Sequence, residues 1–66
     1  MKAKLNSKLI NYWLIENDRS AAWLARQIGI DAPAMYYRLE SGSLIDIGKI
    51  ADVMGISDPK DLIICK

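Results

Sequence analysis

The sequence predicts an all-α fold, a compact bundle of five short helices with either a short C-terminal strand or an extended tail. Three observations lead there. Apolar residues recur at three- and four-residue intervals along most of the chain. Capping residues and glycines cut it into segments of helical length, with Ser20, Asp31, Ser43 and Asp58 at starts and Gly29, Gly42 and Gly55 at ends. No repeat, linker or low-complexity tract interrupts the 66 residues, so residues 1–66 form one domain.

The first helix covers residues 5–17, free of Gly and Pro. Leu5, Leu9, Tyr12, Trp13 and Glu16 fall near one stripe, and Ile10 and Leu14 widen the apolar arc beside it. So wide an arc predicts burial on more than one side. Ser20 caps the second helix, in which Ala21, Leu24, Ala25 and Ile28 share a face, and Gly29 closes it. Asp31 or Ala32 caps the third, with Pro33 tolerated in the first turn. Met35 and Leu39 face inward there, opposite Pro33 and Tyr37, and Gly42 ends the helix. Ser43 caps a fourth helix built on Ile47, Ile50, Ala51 and Met54, with Asp46 near its N-terminus. A fifth short helix starts at Asp58-Pro59. The tail Leu62-Ile63-Ile64-Cys65 either extends that turn or forms a strand, and pattern alone does not separate the two.

Composition narrows the function. A chain this short buries only about 60% of its unfolded surface, so most of the 52% hydrophobic residues are needed for one core. The lone Cys65 cannot form an internal disulfide, which points to a cytoplasmic protein or to one stabilised by oligomerising. No apolar run approaches a membrane span, so no membrane partner is expected. With no His and one Cys, neither a metal site nor imidazole catalysis is expected. Asp18, Asp31, Asp46 and Asp52 read as caps or solvated helix charges, so the chain is not expected to be an enzyme. Nine Lys and Arg against eight Asp and Glu give a net charge of +1. That sum hides an asymmetry: residues 1–45 hold six bases and four acids, residues 46–66 three bases and four acids. The first eight residues carry three lysines and no acid, suiting either a solvated, frayed terminus or a phosphate-contacting arm.

Four pieces of sequence, in order and spacing, resemble the Cro/repressor (Xre-like) helix-turn-helix family of phage and bacterial regulators. Leu24-Ala25, four residues after Ser20, is similar to the Leu-Ala of the family's second helix. Gly29-Ile30 is similar to its turn, and Glu40-Ser41-Gly42 to the Glu-x-Gly closing its recognition helix. Ile50-Ala51-x-x-Met54-Gly55-Ile56-Ser57 is similar to Ile-Ala-x-x-Leu-Gly-Val-Ser in its fourth helix. The resemblance spans about residues 8 to 63. It implies a helix-turn-helix at about 20–41, with Ala25 small for close helix crossing and Ile30 and Met35 filling the wedge. It also implies that the third helix enters the major groove while the second lies across the backbone.

On that resemblance the reading face comprises Ala32, Pro33, Tyr36, Tyr37 and Arg38, with apolar groups suited to the thymine methyl and Arg to guanine. Tyr hydroxyls serve phosphates as well as bases, and Lys8, Ser20, Ser41 and Ser43 are the further phosphate contacts expected. The chain departs from the family in having Ala21 where a phosphate-binding Gln is usual, and Ala32-Pro33-Ala34 where polar base readers open the helix. Trp23 replaces a polar, exposed residue. Either it folds against the C-terminal tail, or the apolar surplus covers a homodimer interface at Leu44, Ile45, Leu62, Ile63 and Ile64.

The function implied is a sequence-specific transcriptional regulator, a Cro-like repressor binding double-stranded DNA as a homodimer. No cofactor and no small-molecule ligand are expected. The alternative is a helix-turn-helix fold used as a protein-interaction module, an antirepressor or regulatory partner. The near-neutral charge and the apolar opening of the third helix favour that alternative.

Overall fold

Capping chemistry sets most of the helix boundaries. A computed structural model describes residues 2–65, in which four α-helices and a two-stranded antiparallel sheet form a mostly helical globule. The elements in order are β1 (Ala3–Leu5), α1 (Ser7–Glu16), α2 (Ala21–Ile28), α3 (Ala32–Ser41), α4 (Ile47–Met54), a 3₁₀ turn (Pro59–Leu62) and β2 (Ile63–Cys65). Ser20 Oγ accepts from the Trp23 amide, and Asp31 Oδ1 from the Ala34 amide, so Asp31 rather than Ala32 is the cap of α3. At the far ends Gly29, Gly42 and Gly55 are left-handed. Beyond each, the amide of the next residue bonds back to a carbonyl five positions earlier: Ile30 to Ala25, Ser43 to Arg38 and Ile56 to Ala51. This is the Schellman closure that left-handed glycine permits.

The predicted fifth helix is not formed. Asp58 and Pro59 start a single 3₁₀ turn, and the β-branched Ile63 and Ile64 leave it as a strand paired with β1. The register sets Ala3 against Cys65, Lys4 against Ile64 and Leu5 against Ile63. The predicted first helix is shorter at both ends: Leu5 belongs to β1 and Asn6 caps α1 by accepting from the Leu9 amide, while Asn17 is the C-cap at the other end. The Leu5 amide also reaches the Gly42 carbonyl at 2.9 Å, and the Asn6 amide the Leu62 carbonyl at 2.7 Å. Residues 3–5 are therefore not a frayed terminus; they are clamped between the end of α3 and the 3₁₀ turn. Ser43 does not cap α4 either. Its hydroxyl accepts from the Ile45 amide in a local turn, and α4 starts four residues later, after a left-handed Asp46 at φ 60°.

Ile10, Leu24, Met35, Ile50 and Leu62 are the largest fully buried side chains, one from each helix and one from the 3₁₀ turn. Each such burial contributes about 1.5–3 kcal/mol, so every element is tied to one core. On α1 the inner face is Ile10 and Leu14, with Trp13 half-buried beside them. The predicted stripe through Leu9 and Tyr12 lies outside the core: Leu9, Tyr12 and Ile15 are 37%, 62% and 77% exposed. The chain has enough apolar surface for two faces of α1 and buries only one. Trp23 finds its partner in Trp13, with ring centroids 6.3 Å apart and planes 29° from parallel, while the tail beyond the 3₁₀ turn pairs with β1. Among the described residues no helix is long and apolar enough to cross a membrane.

Candidate nucleic-acid interface

The most closely packed helix pair is α2 with α3, joined by only the three residues Gly29–Asp31. Ala25 is fully buried, so the two backbones approach without a large side chain between them. Met35 and Leu39 anchor α3 to the core. Helical spacing then turns Pro33, Tyr36, Tyr37, Glu40 and Ser41 outward, and all five are exposed. Tyr36 and Tyr37 dominate this face at 55% and 71% exposure. Ala32 is half-buried at its edge.

Arg38 is placed differently from the expectation. Its Nη1 donates to Asp46 Oδ2 at 2.8 Å, and its side chain is only 19% exposed. Lys49 Nζ lies 3.9 Å from the other oxygen of the same carboxylate. The hydrogen bond from Arg38, helped by the positive charge of Lys49, holds the Asp46 carboxyl below its ordinary value, against a smaller opposing effect of desolvation. Arg38 thus braces the α3–α4 loop through Asp46. Its removal from the outward face leaves Glu40 as the charged residue there.

The expected phosphate contacts divide similarly. Lys8 and Ser41 are exposed, Ser41 Oγ lying 3.5 Å from the Arg38 carbonyl. The hydroxyls of Ser20 and Ser43 already accept backbone amides, although each retains its proton for donation. Of the expected dimer residues, Ile45 is 61% exposed and Leu44, Ile63 and Ile64 are half-buried. Leu62 is fully buried in the chain's own core and has no surface to offer a partner.

Sequence reasoning missed two pairings. Arg38 and Asp46 are eight residues apart across a turn, a separation no helical rule joins. The second is a stack in which the Arg19 guanidinium sits 4.7 Å from the Trp23 ring centroid, with Trp13 also packed on Trp23. The oddity of Trp23 at an outward position was the available signal. No protein-family model, curated protein or solved structure matches the chain.

Proposed function

We propose that the chain is a sequence-specific DNA-binding transcriptional regulator of the Cro-like helix-turn-helix type, with α3 entering the major groove of an operator. The observation that carries the reading is the exposed pair on α3, Tyr37 opposite Met35 and Leu39 and Tyr36 on the flank beside it. A rigid helix held on a second helix by a three-residue turn is the geometry by which such a fold reaches base edges. Pro33, Tyr36 and Tyr37 contact bases and the adjoining backbone in this reading, with Ala32 at the margin. Lys8 and Ser41 contact phosphates, and Arg38 positions α3 through Asp46 without reading a base itself. The regulator acts by occupying its site, without cofactor.

A second reading, a helix-turn-helix fold that binds another protein through α3, is favoured by one observation. The outward face of α3 is aromatic and apolar, and its charged side chain is the acid Glu40. Such a face suits a partner protein better than phosphate.

Selection of bound sequences from a random duplex library, repeated at two salt concentrations, separates the readings. A DNA-binding regulator enriches one sequence and loses affinity as salt rises, with a log–log slope of about −0.9 per phosphate neutralised. A protein-binding module enriches nothing.

A further inference from the structure

Arg19 is exposed and yet seated. Its guanidinium carbon lies 4.7 Å from the Trp23 ring centroid, and Trp23 is itself fixed by stacking on Trp13 of α1. Attraction between a cation and a ring face uses the charge and not the N–H groups. Arg19 enters no ion pair and donates no side-chain hydrogen bond among the described residues. Its five N–H donors are therefore held in place with nothing to donate to. Position adds to this. Arg19 directly precedes Ser20, the cap of α2, so it stands at the end of α2 remote from the α2–α3 turn. Eight helical residues separate that end from the turn by about 12 Å. The major groove is also about 12 Å wide. With α3 in the groove, the remote end of α2 therefore lies over the bordering phosphates and beyond the base edges.

We infer that Arg19 contacts a DNA phosphate and that Trp23, backed by Trp13, is its positioning residue. The inference rests on the DNA-binding reading and adds to it a residue that reading does not use. A guanidinium presents a planar fork that matches two phosphate oxygens. An unrestrained arginine loses rotamer freedom when it makes such a contact, whereas here the fold has already taken most of it. Trp23 organises a second donor as well. Its backbone amide bonds to Ser20 Oγ, which leaves the hydroxyl proton beside Arg19 for the same phosphate. A contact of this kind fixes the register of the protein on the duplex and carries no base preference.

The test is fluorescence anisotropy on a duplex selected by the wild type and on a random duplex, each titrated from about 50 to about 200 mM salt. Arg19→Met keeps an apolar stem over Trp23 and removes the charge. It is expected to weaken binding to both duplexes about tenfold, the scale of one hydrogen bond to a charged group. It is also expected to lower the log–log salt slope by about 0.9 per bound chain. Arg19→Lys keeps the charge and is expected to keep the slope. Trp23→Leu is expected to keep the slope and still weaken binding, because the charge remains but has lost its seat. Circular dichroism sets a temperature at which every variant is folded. An Arg19→Met variant with the wild-type slope overturns the inference, and the DNA-binding reading then stands on the wild type's own selection and salt dependence. A loss confined to the selected duplex also overturns it, by making Arg19 a base reader, as does an Arg19→Lys slope as low as that of Arg19→Met. Trp23→Leu binding like the wild type removes Trp23 as the positioning residue. A wild type that selects no sequence and shows no salt dependence overturns the DNA-binding reading and the Arg19 contact together.

Discussion

Arg38 and Asp46 form a 2.8 Å charge-assisted hydrogen bond that ties α3 to the residue opening α4. The bond explains why Asp46 holds a left-handed conformation with no capping bond of its own: its carboxylate is committed to Arg38 and its backbone turns the chain into α4. The folded-state pKa of Asp46 is lowered, so its ionisation stabilises the fold above the unfolded carboxyl pKa of about 3.9. That contribution is lost as pH falls through the folded value. Asp46→Asn is expected to lower the melting temperature at pH 7, with the gap to wild type closing as pH falls through the lowered folded value. Asn tolerates the left-handed backbone, so the comparison isolates the charge. Thermal melts across pH 2.5–7 check it; a gap independent of pH refutes it.

Gly29 and Gly42 share the left-handed conformation but not the surroundings. A Cβ at Gly29 meets nothing within 4 Å, whereas at Gly42 it lies 3.0 Å from Lys4 Cβ on β1. Gly29→Ala is therefore expected to cost about 1–2 kcal/mol in backbone strain alone. Gly42→Ala adds displacement of β1 and is expected to cost more. Urea denaturation of the two variants ranks them, and equal losses would mean that β1 yields freely.

The Trp13–Trp23 stack joins α1 to α2 outside the main core. A double-mutant cycle with Trp13→Leu and Trp23→Leu is expected to give a coupling of about 0.5–1.5 kcal/mol. Arg19→Ala alone is expected to cost about 0.5–1 kcal/mol through the lost cation–π contact. Additive single effects in the cycle would show that the rings touch without interacting energetically.

Tyr36 and Tyr37 give the DNA reading its sharpest test. Both are exposed, so Tyr36→Ala and Tyr37→Ala are expected to change stability by no more than about 0.5 kcal/mol. Each is expected to weaken binding to a selected duplex about tenfold or more, at the scale of one good base contact. Fluorescence anisotropy measures this, and unchanged affinity would move the DNA surface off α3. Arg38→Ala is expected to behave differently, lowering stability and affinity together.

Most of the helical scaffold was legible because its signals are local. Ser20 and Asp31 bond to amides three residues ahead, and Gly29, Gly42 and Gly55 close helices through carbonyls four or five residues back. Such bonds form within a single turn, so residue type narrows them to a position or two, although it left Asp31 and Ala32 as alternatives and misplaced Ser43. The inward positions of Met35 and Leu39, and the outward ones of Pro33 and Tyr37, followed from helical spacing for the same reason. On α1 the same spacing was ambiguous. Apolar residues occupy both faces, and nothing within the helix says which of Ile10 and Leu9 meets the core.

What the sequence alone determined, then, is where three helices begin or end and which face of α3 looks out. The tertiary structure alone decided the rest: that residues 3–5 and 63–65 pair as strands some sixty positions apart, that Leu62 is core rather than surface, and that Arg38 is held by Asp46. Strand pairing and ion pairing depend on groups brought together only when the chain closes on itself. A three-residue strand has no periodicity long enough to announce it, and its hydrogen bonds all lie with residues that are distant until the fold is complete.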